Sequence, residues 1–87
     1  MSTLAALRER LAALQPQHLD ITDDSASHSG HAGANGGGHY RLTIVASAFA
    51  GLSTLARHRL IYATLGTLMQ REIHAMSINA KTPEEWD

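Results

Sequence analysis

Residues 27–40, S-H-S-G-H-A-G-A-N-G-G-G-H-Y, set His28, His31 and His39 among glycines in an 87-residue chain that has no cysteine. A neutral imidazole ligates zinc, copper and iron, so the stretch has the donors for half of a metal site whose other ligands come from elsewhere. Glycine allows the backbone to curl until His28 and His31 face one ion, at an entropic cost, because nothing nearby fixes either ring. Composition by itself favours a plainer reading, an unstructured connector in which histidines are tolerated polar residues. His39 opens the next strand pattern and reads as a strand-end residue. His74, in I-H-A-M-S-I, is by residue type an ordinary half-exposed strand histidine. A histidine on a strand edge is pre-oriented, however, whereas one on a flexible loop must lose entropy to bind.

Other constellations carry less. Asp23, Asp24, Ser25 and the loop histidines contain the parts of a Ser/His/Asp set, but no spacing supplies a rigid nucleophile or an oxyanion hole. No phosphate-binding loop or G-x-G-x-x-G turn is present, so the chain is not expected to be an enzyme. Arg57, His58 and Arg59 near a helix start form a small anion patch, with Arg71 further along the same helical pattern. His58 also falls on that helix's apolar stripe beside Ile61, Tyr62 and Leu65, which favours a packed, hydrogen-bonded role for it.

The elements that must position these residues follow from periodicity. Leu4, Leu7, Leu11 and Leu14 predict an amphipathic first helix, with Ser2 or Thr3 as its cap and Pro16 beyond its end. H-L-D-I-T predicts a short strand over 18–22, and H-Y-R-L-T-I-V-A a second one after the glycines, with Tyr40, Leu42 and Ile44 on one face. Gly51 marks a turn, and Ser53 or Thr54 caps a long helix reaching about Arg71. A third strand runs from Ile73 to Ala80, and T-P-E-E-W opens a final helical turn with Thr82 as cap and Pro83 at the first position. The expected fold is α+β: an αββαβ two-layer sandwich with a three-stranded sheet, two main helices and a short C-terminal helix. If the last two strands are parallel, the long helix is the crossover between them.

Composition bounds the function. The formal net charge is −1 and hydrophobic residues make up 44% of the chain, which fits a small packed domain with no global attraction for nucleic acid or anionic lipid. Without cysteine there is no disulfide scaffold, no self-sufficient zinc knuckle and no iron–sulfur centre held by the chain's own thiolates. The N-terminus lacks an apolar run long enough for a signal peptide and no segment approaches a membrane span, so a cytoplasmic protein is expected.

H-Y-R-L-T-I-V-A-S-A-F-A-G-L-S-T-L-A-R-H-R-L-I-Y-A-T-L followed by I-H-A-M-S-I-N-A-K-T-P-E-E-W resembles the BolA family over essentially the whole chain, R-H-R-L-I-Y and I-H-A-M-S-I being its most specific pieces. The resemblance implies a single domain over 1–87 with a class II KH-like fold and a mixed sheet, its glycine- and histidine-rich loop at about 25–38. It also implies an adaptor that partners a monothiol glutaredoxin around a shared 2Fe-2S cluster completed by glutathione, with no cofactor when the chain is alone. His74 stands where the family has its strand ligand, and the second ligand comes from the loop. Aligning inward from D-D-S points to His28 and aligning back from G-G-H-Y points to His31, with a slight preference for His31. Cluster trafficking or iron-status sensing is the expected role, and the free protein is expected to be a monomer or weak homodimer. The alternative is a KH-like nucleic-acid-binding transcriptional regulator that contacts DNA through Arg57, Arg59 and Arg71, although F-A-G-L-S has one glycine where a KH loop has G-x-x-G.

Overall fold

The computed structural model describes residues 3–24, 38–71 and 73–86. The chain runs α1 (Thr3–Leu11), a 3-10 turn (Ala12–Leu14), β1 (His18–Asp23), β2 (Gly38–Val45), a second 3-10 turn (Ser47–Phe49), α2 (Thr54–Leu65), α3 (Leu68–Arg71), β3 (Ile73–Lys81) and α4 (Pro83–Trp86). The strands form one sheet in the order β1-β2-β3, with β1 antiparallel and β3 parallel to β2. The expected α+β architecture with a mixed three-stranded sheet is therefore present. Among the described residues no helix is long and apolar enough to cross a membrane.

Alternation divides the sheet. Ile21, Tyr40, Leu42 and Ile44 are buried on the face that receives the helices, where Leu7, Leu11, Phe49, Ile61 and Leu65 complete the core. The opposite face carries polar rows, Asp20–Thr43–Asn79 and Thr22–Arg41–Ser77. A sheet with one apolar and one polar face needs helices on only one side, which gives two layers.

The long helix expected to reach Arg71 ends at Leu65. Gly66, at φ 58° and ψ −128°, takes a backbone conformation open to glycine and donates its N–H to the Tyr62 carbonyl, and the helix stops there. Arg10 of α1 donates from Nη1 to the Leu65 carbonyl at 2.9 Å. A Cβ on Gly66 would lie 3.1 Å from that nitrogen, so glycine also makes room for the cross-helix cap. Arg71 consequently belongs to the separate α3, not to the helix of Arg57 and Arg59. Tyr62, expected on the apolar stripe, is 41% exposed; Ile61 and Leu65, one turn apart, take the buried positions.

The C-terminal turn is held by a reciprocal cap and an arginine. Thr82 Oγ1 accepts from the Glu85 N–H while Glu85 Oε1 accepts from the Thr82 N–H, a capping box. Arg57 of α2 donates from Nη1 and Nη2 to the two Glu85 oxygens at 2.6 and 3.2 Å, and also to the carbonyls of Leu52 and Ala80. Its side chain is only 12% exposed and that of Glu85 44%. The Trp86 ring, the chain's single tryptophan, stacks on His18 of β1 with centroids 4.8 Å apart.

The Arg57 hydrogen bonds, followed by the Thr82 N–H, lower the Glu85 pKa from 4.5 to about 2. A depressed folded-state pKa contributes stability that is full above 4.5 and lost as pH falls toward about 2. Trp86 fluorescence is expected to report release of α4 within that window, and Glu85→Gln should remove the transition.

Candidate functional site

Strand directions bring three chain segments to one end of the sheet. Because β1 and β2 are antiparallel, β1 finishes where β2 begins: Asp23 pairs with Tyr40, and the Asp24 N–H donates to the His39 carbonyl at 2.7 Å. Because β2 and β3 are parallel, β3 begins there too, with Gly38 opposite Ile73. Both anchors of the glycine- and histidine-rich segment thus lie at the end of the sheet where β3 starts, Gly38 beside it and Asp24 one strand further out, and His74 is the second residue of β3. His28 and His31 themselves fall outside the described residues.

The β2–β3 ladder is irregular at this point. Gly38 pairs with Ile73, but the next residue, His39, pairs with Ala75, so His74 is an extra residue on β3. Such bulges cluster at sheet ends and near functional sites, where they re-aim the chain. The bulge also settles the packing of β3. Ile73 is 5% exposed and Met76 packs against the same core, although residues three apart on a regular strand lie on opposite faces. One inserted residue restores the phase for both.

Around the bulge an open cleft of about 470 Å³ is lined by Asp24, His39, Tyr40, Arg41, Ala75, Met76 and Ser77. His39 is half-buried at the strand start, as its position in the sequence suggests. Arg41 Nε lies 3.6 Å from Asp24 Oδ2, but with 71% of the arginine side chain exposed this pair adds little stability. Tyr40 folds back over Gly38, where a Cβ would meet its ring at 2.5 Å. A side chain at position 38 would therefore displace the Tyr40 ring, which is itself buried.

The basic residues separate. Arg57 is committed to Glu85 and two carbonyls, Arg59 is exposed on α2, and Arg71 lies on α3. His58 is partly buried. Sequence reading missed the bulge and the cleft residues Arg41 and Ser77, and met Asp24 only within a Ser/His/Asp set that it set aside. The bulge left one signal, the apolar pair Ile73 and Met76 in a strand of otherwise even phase. The cleft left none, since it is made by register between strands distant in sequence.

A family model described as BolA-like protein matches residues 11–85. BolA-like protein 1 of Homo sapiens is 40% identical over 83 residues, which cover 94% of this chain and 59% of the human one. The DNA-binding transcriptional regulator BolA of Escherichia coli (strain K12) is 35% identical over 86 residues, covering 93% of this chain and 80% of the bacterial one. The BolA domain of SufE1 from Arabidopsis thaliana superimposes with a TM-score of 0.85 at 43% identity, covering 98% of this chain and 96% of that one. This chain therefore spans less than two thirds of the length of the mammalian relatives it matches.

Three substitutions test the geometry of this sheet end by urea unfolding. Ile73→Ala should cost about 2–4 kcal/mol and Ala75→Ser less than about 0.5 kcal/mol, because the bulge turns only the first into the core. Gly38→Ala should cost about 1–3 kcal/mol through the forced displacement of Tyr40; a neutral result would contradict the close approach.

Proposed function

The chain belongs to the BolA-like family, and on that premise we propose that it is an adaptor which docks on a monothiol glutaredoxin and lends imidazole ligands to a 2Fe-2S cluster. His74 is one ligand, and His28 or His31 the other. The observation that carries the proposal is the meeting of strand ends at one end of the sheet: Gly38 pairs with Ile73 beside the bulge at His74, and Asp24 bonds to His39 one strand further out.

The donor chemistry fits a shared cluster rather than a private one. With no cysteine, this chain supplies no thiolate, so the remaining ligands must come from the glutaredoxin and its bound glutathione. Replacing thiolate by neutral imidazole removes negative charge from such a cluster and raises its potential, as in Rieske centres. Protonated imidazole cannot ligate, so retention weakens as pH falls. His74 lies between Ile73 and Ala75, both paired to β2, which limits the entropy lost on ligation, whereas the loop histidine comes from the glycine-rich residues outside the described ones. The role that follows is cluster trafficking or iron-status sensing, without catalysis by this chain.

A second reading, DNA binding, is favoured by the name of the Escherichia coli relative. Its residue set is weakened by geometry: the Arg57 guanidinium is occupied by Glu85, and Arg59 and Arg71 sit on different helices. A saturable, salt-sensitive shift of duplex DNA that Arg59→Ala diminishes would support it.

Mixing the apo-protein with a cluster-loaded monothiol glutaredoxin should change the visible spectrum and yield a heterocomplex by size-exclusion chromatography. His74→Ala should abolish the spectral change, and separate His28→Ala and His31→Ala variants should identify the loop ligand. An unchanged spectrum with no heterocomplex would sink the adaptor reading.

A further inference from the structure

The two edges of the sheet are built differently. β1 is six residues long, follows Pro16 and carries Asp20 and Asp23, devices that discourage strand addition. β3 is nine residues long, contains no proline and has one formally charged residue, Lys81, at its end. Among the described residues no strand pairs with β3 on the side away from β2. The direction of its backbone groups can be read from its last residues. The Lys81 carbonyl accepts from the Ala46 N–H, toward β2, while the Ala80 carbonyl accepts from Arg57 Nη1, away from it. Successive carbonyls alternate sides along a strand, so Met76 and Ile78, in phase with Ala80, direct their N–H and C=O groups to the open edge.

We propose that this edge is a homodimerisation seam at which β3 pairs antiparallel with β3 of a second copy about a two-fold axis at Ser77. In that register Met76 exchanges both backbone hydrogen bonds with Ile78 of the second copy, and the reverse. Ser77 meets its own counterpart in the close, non-hydrogen-bonded position. Met76 and Ile78, only partly buried in the single chain, become cross-strand neighbours on the helix face. Ala75 and Asn79 pair on the polar face, and no charge falls between Ala75 and Asn79, so a second copy brings no like-charge contact to the seam. The ends are bounded by the bulge at His74 and by Arg57, which occupies the Ala80 carbonyl. Symmetry favours this occupant over head-to-tail addition. A β3–β3 pair closes and leaves only the acidic β1 edges outward, whereas β3 on β1 would propagate and place Asp20 and Asp23 in the seam. Five residues a side make a small interface, so the association is concentration-dependent. The inference rests on the strand edge alone and holds whether or not His74 ligates a cluster.

The absence of native cysteine makes cross-linking decisive. Cα atoms of a non-hydrogen-bonded pair lie about 4.5 Å apart, within the roughly 4.4–6.8 Å that a disulfide spans. Under mild oxidation Ser77→Cys should form a covalent dimer at least about tenfold faster than Ala75→Cys or Asn79→Cys alone, and mixing those two variants should restore the rate. Sedimentation of the unmodified protein should show reversible, concentration-dependent dimers that Ser77→Lys, with two ammonium groups face to face, abolishes. Equal cross-linking rates for all three single variants, a monomer at every concentration, or a dimer that survives Ser77→Lys would each overturn the seam.

Discussion

Parallel pairing of β3 with β2 is the constraint from which the candidate site follows. Had β3 run the other way, His74 would sit at the far end of the sheet from the loop that follows β1. The parallel ladder instead places Ile73 against Gly38, while the antiparallel β1–β2 pair brings Asp24 to His39. A parallel pair cannot be joined by a tight turn, so the intervening chain must cross the sheet, and α2 and α3 are that crossing. The helices that cover the core and the meeting of Asp24, His39 and the start of β3 at one end of the sheet are thus consequences of one strand direction.

The same ladder contains the irregularity that separates packing from chemistry. Ile73 must reach the core and so must Met76, and the extra residue between them, His74, is what reconciles the two. A residue inserted by a bulge is one that the core does not need in regular phase. That explains how a strand can be tightly specified by Ile73, Met76 and Ile78 and still offer a residue for another purpose.

At the opposite end Arg57 ties α2, β3 and α4 together through Leu52, Ala80 and Glu85. A mostly buried guanidinium is tolerable because its donors meet two carbonyls and a bidentate carboxylate. The residue types that suggested an anion patch in R-H-R are therefore largely spent on architecture, and the free polar surface of the sheet lies along Thr22, Arg41 and Ser77. Gly66 and Arg10 do comparable work where α2 ends, joining the two principal helices through a single carbonyl.

Much was legible in the sequence, and for definite reasons. Two-residue alternation in Leu19–Ile21 and Tyr40–Leu42–Ile44 fixes strands and their buried faces, and four-residue spacing of Leu7 and Leu11 fixes a helix. T-P-E-E gives the final cap, because these are local preferences of backbone and side chain. The absence of cysteine alone determines that this chain supplies no thiolate ligand. Tertiary structure decided what depends on neighbours remote in sequence: that Arg57 faces Glu85 and not solvent, that Tyr62 is exposed, and that the helix breaks at Gly66 over Arg10. It also decided that His74 is the surplus residue of a bulge, since register is a property of two paired strands and a single strand's sequence constrains only its own phase.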